Sequence, residues 1–447
     1  LNDAMATTDV AAPPRPGARL RAAFVWGVWA VLSAGLVGYV GFVNDDFPTL
    51  DDWHLVPVYT GNQPLTLSWL WEQYNEHRLP LPKLLLVLGG VVSGHDYRAG
   101  MFTSALLLSG LAALMIFTAG RLRGGPSFAD AFVPLTLLHW GQYETLIISF
   151  ALNLVASTVL AGLALVIVVR LRGAPTLRQG VLFGLCVLAL PLCGSNGAAL
   201  VPALALWLAV AAVTRWRSGG AHGRRDGLVM MALAVAAVVL LAVYLFSLEK
   251  QATTPRPGPS EAARTAVEFL AEGFGPFAKT LWPLSGLVVA ALALCTLLQL
   301  ARDWRIAPAN RLRVLGLLGF GGAMLCLAAG IGLARGSGFA TRYATMATPA
   351  LCLAYFVGRD VLRPAVPWGL FILMAVCLIP NMVVGIRRGE NRRTYMRQLQ
   401  ADVAGGMTPD ELAKKWSADI FVPGGDAMVR ERFEMLRRAG QGPYRGR

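Results

Sequence analysis

Leu79-Pro80-Leu81-Pro82-Lys83-Leu84-Leu85-Leu86-Val87-Leu88-Gly89-Gly90-Val91-Val92-Ser93 decides how this chain is threaded. The stretch is apolar, but it holds only about fifteen residues where a membrane-crossing helix needs about twenty. Two prolines and a lysine stand at its start. It therefore reads as a re-entrant or interfacial helix. The second crossing then falls at 99–119, after a first one at Ala22–Val43.

Later apolar stretches at 127–138, 147–169, 179–193, 197–214, 227–246, 281–301, 314–333, 343–358 and 366–386 complete about 11 spans, an all-α polytopic bundle. Arginine tests the threading, because short cytoplasmic loops collect basic residues. After the second span, fifteen arginines fall in inner loops: Arg121, Arg123, Arg170, Arg172, Arg178, Arg215, Arg217, Arg224, Arg225, Arg302, Arg305, Arg311, Arg313, Arg359 and Arg363. Between the second span and residue 360, only six basic residues fall in outer loops: Lys250, Arg256, Arg264, Lys279, Arg335 and Arg342. Counting 79–93 as a span would invert the ratio.

Composition agrees with a membrane protein. Of 447 residues, 55% are hydrophobic and 15% charged, with a mean hydropathy of +0.54. A soluble domain carries about 25% charged residues. The net charge of +14 is then loop arginine rather than a nucleic-acid surface. Cys186, Cys193, Cys295, Cys326, Cys352 and Cys377 stand singly, with neither a metal-ligand spacing nor a disulfide framework.

The expected organisation has three parts. Residues 1–21 form a cytoplasmic tail with Arg15, Arg19 and Arg21, followed by a retained signal anchor. Residues 22–386 form the membrane module, with outer loops at about 44–98 and 247–280. Residues 387–447 form a small helical tail on the extracytoplasmic side. In the second outer loop an amphipathic helix is expected through Val267, Leu270 and Phe274. In the tail, Thr408-Pro409-Asp410-Glu411 is a capping box. A second helix near 426–439 puts Val429, Phe433 and Leu436 on one face.

This threading gathers unusual polar residues on the outer face. The first loop carries Asp45-Asp46, Asp51-Asp52-Trp53-His54 and Asn75-Glu76-His77-Arg78. Between them Leu67, Leu70, Trp71 and Tyr74 have the spacing of a helix lying in the interface. Short outer turns hold Gln142 and Glu144, then Ser195-Asn196-Gly197, then Arg335-Gly336-Ser337-Gly338 followed by Arg342-Tyr343. Ionisable groups at a membrane edge are costly and usually functional. Carboxylates suit proton abstraction, and paired arginines suit a phosphate. His54, His77, His95 and His139 also fall on this side. They lack a metal-ligand spacing, so no cofactor is certain and a divalent metal stays an option.

The run from Asp51-Asp52-Trp53 through Leu67–Trp71 to Asn75-Glu76-His77-Arg78, with the Trp140–Glu144 turn, Ser195-Asn196-Gly197 and Arg342-Tyr343, resembles an uncharacterised bacterial branch of the GT-C superfamily. These are integral-membrane glycosyltransferases. The resemblance covers most of residues 20–386. It implies a polyprenyl-phosphate-linked sugar donor, a glycan or lipid acceptor, and an active site on the extracytoplasmic face of a bacterial inner membrane. It also implies a first-loop carboxylate acting as base. Asp52 leads, with Asp51 next and Asp45 and Asp46 in support. Glu76, His77, Arg78, Gln142, Glu144, Asn196, Arg335, Arg342 and Tyr343 are the expected substrate contacts. The alternatives are a transporter or flippase of lipid-linked glycans, or a glycan polymerase or ligase using arginines alone. A transporter should carry ionisable groups in mid-span, where this chain is mostly Ala, Leu, Val and Gly.

Overall fold

The computed structural model describes residues 17–246, 248–249, 257–335, 340–358, 365–420 and 425–446. The glycine turn 336–338, Lys250, Arg256, Arg359, Arg363 and residues 1–16 lie outside these.

The chain is overwhelmingly helical. In the first third it forms α1 (Ala18–Val43), α2 (Leu67–Trp71), α3 (Pro80–Ser93), α4 (Ala99–Arg123) and α5 (Phe132–Leu137). Then come α6 (Leu152–Val169), α7 (Leu177–Ala189), α8 (Val201–Ser218), α9 (Gly220–Phe246) and α10 (Pro259–Ala271). The last third holds α11 (Leu284–Ile306), α12 (Arg311–Arg335), α13 (Ala344–Gly358), α14 (Ala365–Ala404), α15 (Pro409–Ile420) and α16 (Gly425–Ala439). Among the described residues, seven helices are long and apolar enough to cross a membrane: α1, α4, α6 with the turn before it, α9, α11, α12 and α14. This is a multi-pass membrane protein. The expected spans at 127–138, 179–193, 197–214 and 343–358 fall on shorter or broken helices.

Side-chain bonds show which helix ends share a face. Gly94, after α3, is reached by Arg445, and the amide of Tyr97, before α4, donates to Asp46 in the first loop. The other end of α3 lies beside Trp69 and Glu72, whose carbonyls hold Lys83. Both ends of α3 are therefore held by first-loop and tail residues, and its 14 residues are fewer than a crossing helix needs. Two prolines in its first turn set the helix start, where a missing N–H costs nothing. Gly94, at φ 67°, ends it in the left-handed conformation glycine favours.

Residues 128–150 run between the two faces as short helical pieces. At one end Asp130 pairs with Arg123 of α4 at 2.6 Å, and at the other Leu146 accepts a hydrogen bond from Asn44. Broken backbone of this kind needs protein around it to satisfy its polar groups. Nearly every residue from Ala129 to Leu152 is buried.

Some first-loop and tail expectations change. α2 stops at Trp71, and its buried residue is Trp69, while Leu67 is 85% exposed. Tyr74 leaves the helix for a two-strand hairpin, β1 (Gln73–Tyr74) and β2 (His77–Arg78), with Tyr74 opposite His77. Asn75 takes the left-handed turn position at φ 49°, where asparagine is enriched. In α10 the buried positions are Ala262, Thr265, Glu268, Phe269 and Ala271, a face turned from the one through Val267 and Leu270. The tail forms both expected helices, and the amide of Thr408 donates to Glu411 at 2.7 Å. Val429, Phe433 and Leu436 are buried. Phe433 seats against Phe47 and Trp53, and Arg445 pairs with Asp46 at 2.8 Å, so α16 packs on the first loop.

Candidate functional site

A cavity of about 450 Å³ opens at the loop face. One wall comes from the first loop, with Asp51, Tyr74, Glu76 and His77. The opposite wall comes from the end of α12 and the start of α13, with Arg335, Arg342 and Tyr343. Asn153, Ser195 and Asn196 line the space between them.

The two adjacent aspartates divide their work. Asp52 is fully buried. Its carboxylate accepts from the amides of Thr49 at 3.2 Å, Ser149 at 3.2 Å and Phe150 at 2.7 Å. It thus caps the short 3-10 helix Leu50–Leu55 and staples it to the turn before α6. Burial pushes its carboxyl up to about 7, against the pull of those three N–H donors. With its oxygens so engaged, Asp52, expected to lead as base, does not line the cavity, and the geometry favours Asp51 as the candidate instead. A 3-10 helix turns about 120° per residue, so the residue before it looks elsewhere. Asp51 lines the cavity, and its Oδ1 accepts from the Tyr74 hydroxyl at 2.9 Å.

The second acidic pair is also outside the cavity wall. Asp46 is bound by the Tyr97 amide and by Arg445, and Asp45 lies beside it. Burial raises the Asp46 carboxyl above the usual carboxylate range.

Among the expected substrate contacts, Glu76, His77, Asn196, Arg335, Arg342 and Tyr343 are brought together; Arg78, Gln142 and Glu144 are not. Arg78 turns back to the Trp71 carbonyl at 2.6 Å and sits over the Trp71 ring. Gln142 is a buried crosslink, donating to the Thr136 carbonyl and accepting from Thr345. Glu144 acts one step back: it accepts from the backbone amide of Arg342 at 3.1 Å and from the Tyr143 hydroxyl at 3.0 Å.

Arg335 pairs with Glu76 across the cavity at 3.0 Å. The Arg342 guanidinium has no ion-pair partner among the described residues. His77 meets the Ser195 hydroxyl through Nδ1, and Ser195 also bonds Tyr244. Burial, then Arg335 and Arg342, hold the His77 imidazole down to about 4, so it is neutral near pH 7. The cavity therefore sets a carboxylate with a phenol partner and a neutral imidazole opposite two guanidinium groups. Among the described residues no three His, Cys, Asp or Glu side chains cluster to hold a metal ion. No protein-family model, curated protein or solved structure matches the chain.

From sequence alone Tyr74 reads as an interface anchor and Ser195 as part of a short turn. Tyr74 reaches Asp51 only because the hairpin replaces the end of the expected helix. Asn75 beside the acidic Glu76 was the one local sign of that turn. Asn153 had no signal, since it sits within an apolar helical run.

Proposed function

We propose that the chain is a membrane glycosyltransferase moving a sugar from a polyprenyl-phosphate donor to a hydroxyl of a glycan or lipid acceptor. In this reading the chain makes eleven passes of a bacterial inner membrane, with the loop face outward, as the arginine distribution favours. The observation that carries it is the juxtaposition of Asp51 with Arg335 and the unpaired Arg342 in one cavity. The GT-C resemblance of the first loop supports it.

The acceptor oxygen attacks the anomeric carbon, and its proton passes to the Asp51 carboxylate. The bond from that carbon to the phosphate oxygen breaks, and its electron pair leaves with the phosphate. Arg342 and Arg335 neutralise the charge that develops there, as bidentate guanidinium forks do. Tyr74 holds Asp51 in place through its hydroxyl.

Transport is the less favoured reading. The ion pairs Arg123–Asp130, Arg215–Asp226 and Arg313–Asp303 lie at or near helix ends rather than in mid-span. The test is Asp51→Asn in the purified protein, assayed with prenyl-phosphate-linked sugars. The variant should fold, bind the donor and lose turnover by about 10²–10⁴, the usual contribution of a positioned base. Undiminished turnover would remove Asp51 as base and favour transfer through the arginines alone.

A further inference from the structure

A second cavity, of about 360 Å³, lies away from the first, between α1 and α14. Gly35, Gly38, Phe42, Trp140, Ile386 and Glu390 bound it. Its walls are apolar, and nothing approaches within 4 Å of where a Cβ on Gly38 would stand.

The mouth of this crevice is charged. α14 runs 22 residues from Ala365 to Ile386 before its first arginine. At 1.5 Å per residue that is about 33 Å, close to the thickness of a hydrocarbon core. Arg387 therefore marks the start of the headgroup layer. Glu390, Arg393 and Arg397 follow Ile386 at helical spacing, so they continue the face that lines the crevice. Helical side chains tilt toward the helix N-terminus, which here points them back at the bilayer. The Arg393 guanidinium lies 3.6 Å above the ring of Phe42, itself 57% exposed. Two neighbouring arginines of α14 are engaged elsewhere: Arg392 bonds Thr49, and Arg388 lies over the Tyr143 ring.

Glu390 and Arg393 stand three residues apart, where oppositely charged side chains commonly pair. Neither has an ion-pair partner among the described residues. An apolar slot is thus topped by one anionic and one cationic group, both unpaired and at phosphate depth. A zwitterionic headgroup complements that arrangement.

We propose that this crevice is a phospholipid site that selects an ethanolamine headgroup. The phosphate rests on Arg393, with Arg397 beside it. The primary ammonium donates to Glu390, and an acyl chain lies along Gly35 and Gly38. The site does not depend on the glycosyl-transfer reading.

Native mass spectrometry of the full chain in mild detergent, titrated with phosphatidylethanolamine, phosphatidylglycerol and phosphatidylcholine, tests it. Phosphatidylethanolamine should be retained over both others, because phosphatidylglycerol lacks the ammonium and phosphatidylcholine lacks its N–H donors. Glu390→Gln should reduce the preference over phosphatidylglycerol on the order of tenfold, the scale of one charged hydrogen bond. Gly38→Phe should abolish retention, and the open space at Gly38 lets the variant fold. Should Gly38→Phe misfold, Arg393→Ala serves instead and should weaken both phosphatidylethanolamine and phosphatidylglycerol. Equal retention of the three lipids would overturn the proposal. So would undiminished phosphatidylethanolamine retention in folded Gly38→Phe, or in Arg393→Ala, which would mean annular contact only.

Discussion

The two walls of the loop-face cavity are built differently. The first-loop wall is held at many points: Asp52 receives three backbone amides, Thr49 is bonded by Arg392, Asp46 is tied by Arg445, and Phe433 packs on Trp53. The arginine wall is held at few. Arg335 has one half-exposed partner in Glu76, and Arg342 is located by its own backbone amide on Glu144. Rigid positioning suits a base, which must hold its geometry to within a fraction of an ångström. A loosely held guanidinium suits capture of an anion arriving from the bilayer. Under the proposed function, the difference would put the base on one wall and donor binding on the other.

The comparison breaks first at the aspartates. Asp51→Asn should cost about 10²–10⁴ in turnover while leaving the melting temperature unchanged, because Asp51 has only Tyr74 to lose. Asp52→Ala should do the opposite. It strands three backbone N–H groups in a buried place, where each hydrogen bond is worth about 0.5–1.5 kcal/mol net. A destabilisation of roughly 2–4 kcal/mol in thermal melting is expected. Equal stability of the two variants would show that Asp52 is no staple.

On the other wall, Arg342→Lys keeps the charge but loses the bidentate fork. Donor affinity should fall by about 1.5–3 kcal/mol, with little change in melting temperature. Unchanged affinity in Arg342→Ala would reduce this arginine to an interfacial anchor.

A smaller effect links the walls. Burial holds His77 down to about 4, with Arg335 and Arg342 adding to it. A histidine held below its ordinary value of about 6.5 stays neutral at pH 6, so its charge is absent near neutrality. Removing one positive neighbour in Arg342→Gln should raise the value, but by less than the whole shift, since burial is the larger cause. An NMR titration of labelled His77 reads this directly. No movement would mean that the two side chains do not share a field.

Much of this was legible in the sequence, for physical reasons that differ by region. The short Pro-led stretch at 79–93 marks its own helix, and α3 forms over Pro80–Ser93 with the prolines in its first turn. The tail's capping box and helical face are local signals, and both helices form. Seven of the expected crossings are single long apolar helices. The broken path through 128–150 was not legible as such, because apolar content does not reveal where hydrogen bonding within a helix lapses. Nor could composition say which of two adjacent aspartates faces the cavity. That depends on the 3-10 turn and on distant amides at Ser149 and Phe150, nearly a hundred residues away.

The measurement closest to the central claim is a structure of the full chain with a prenyl phosphate bound. Phosphate density is expected in the loop-face cavity, within about 3 Å of the Arg342 guanidinium and on the side facing Asp51. Phosphate density elsewhere, with Arg342 and Asp51 untouched, would contradict it.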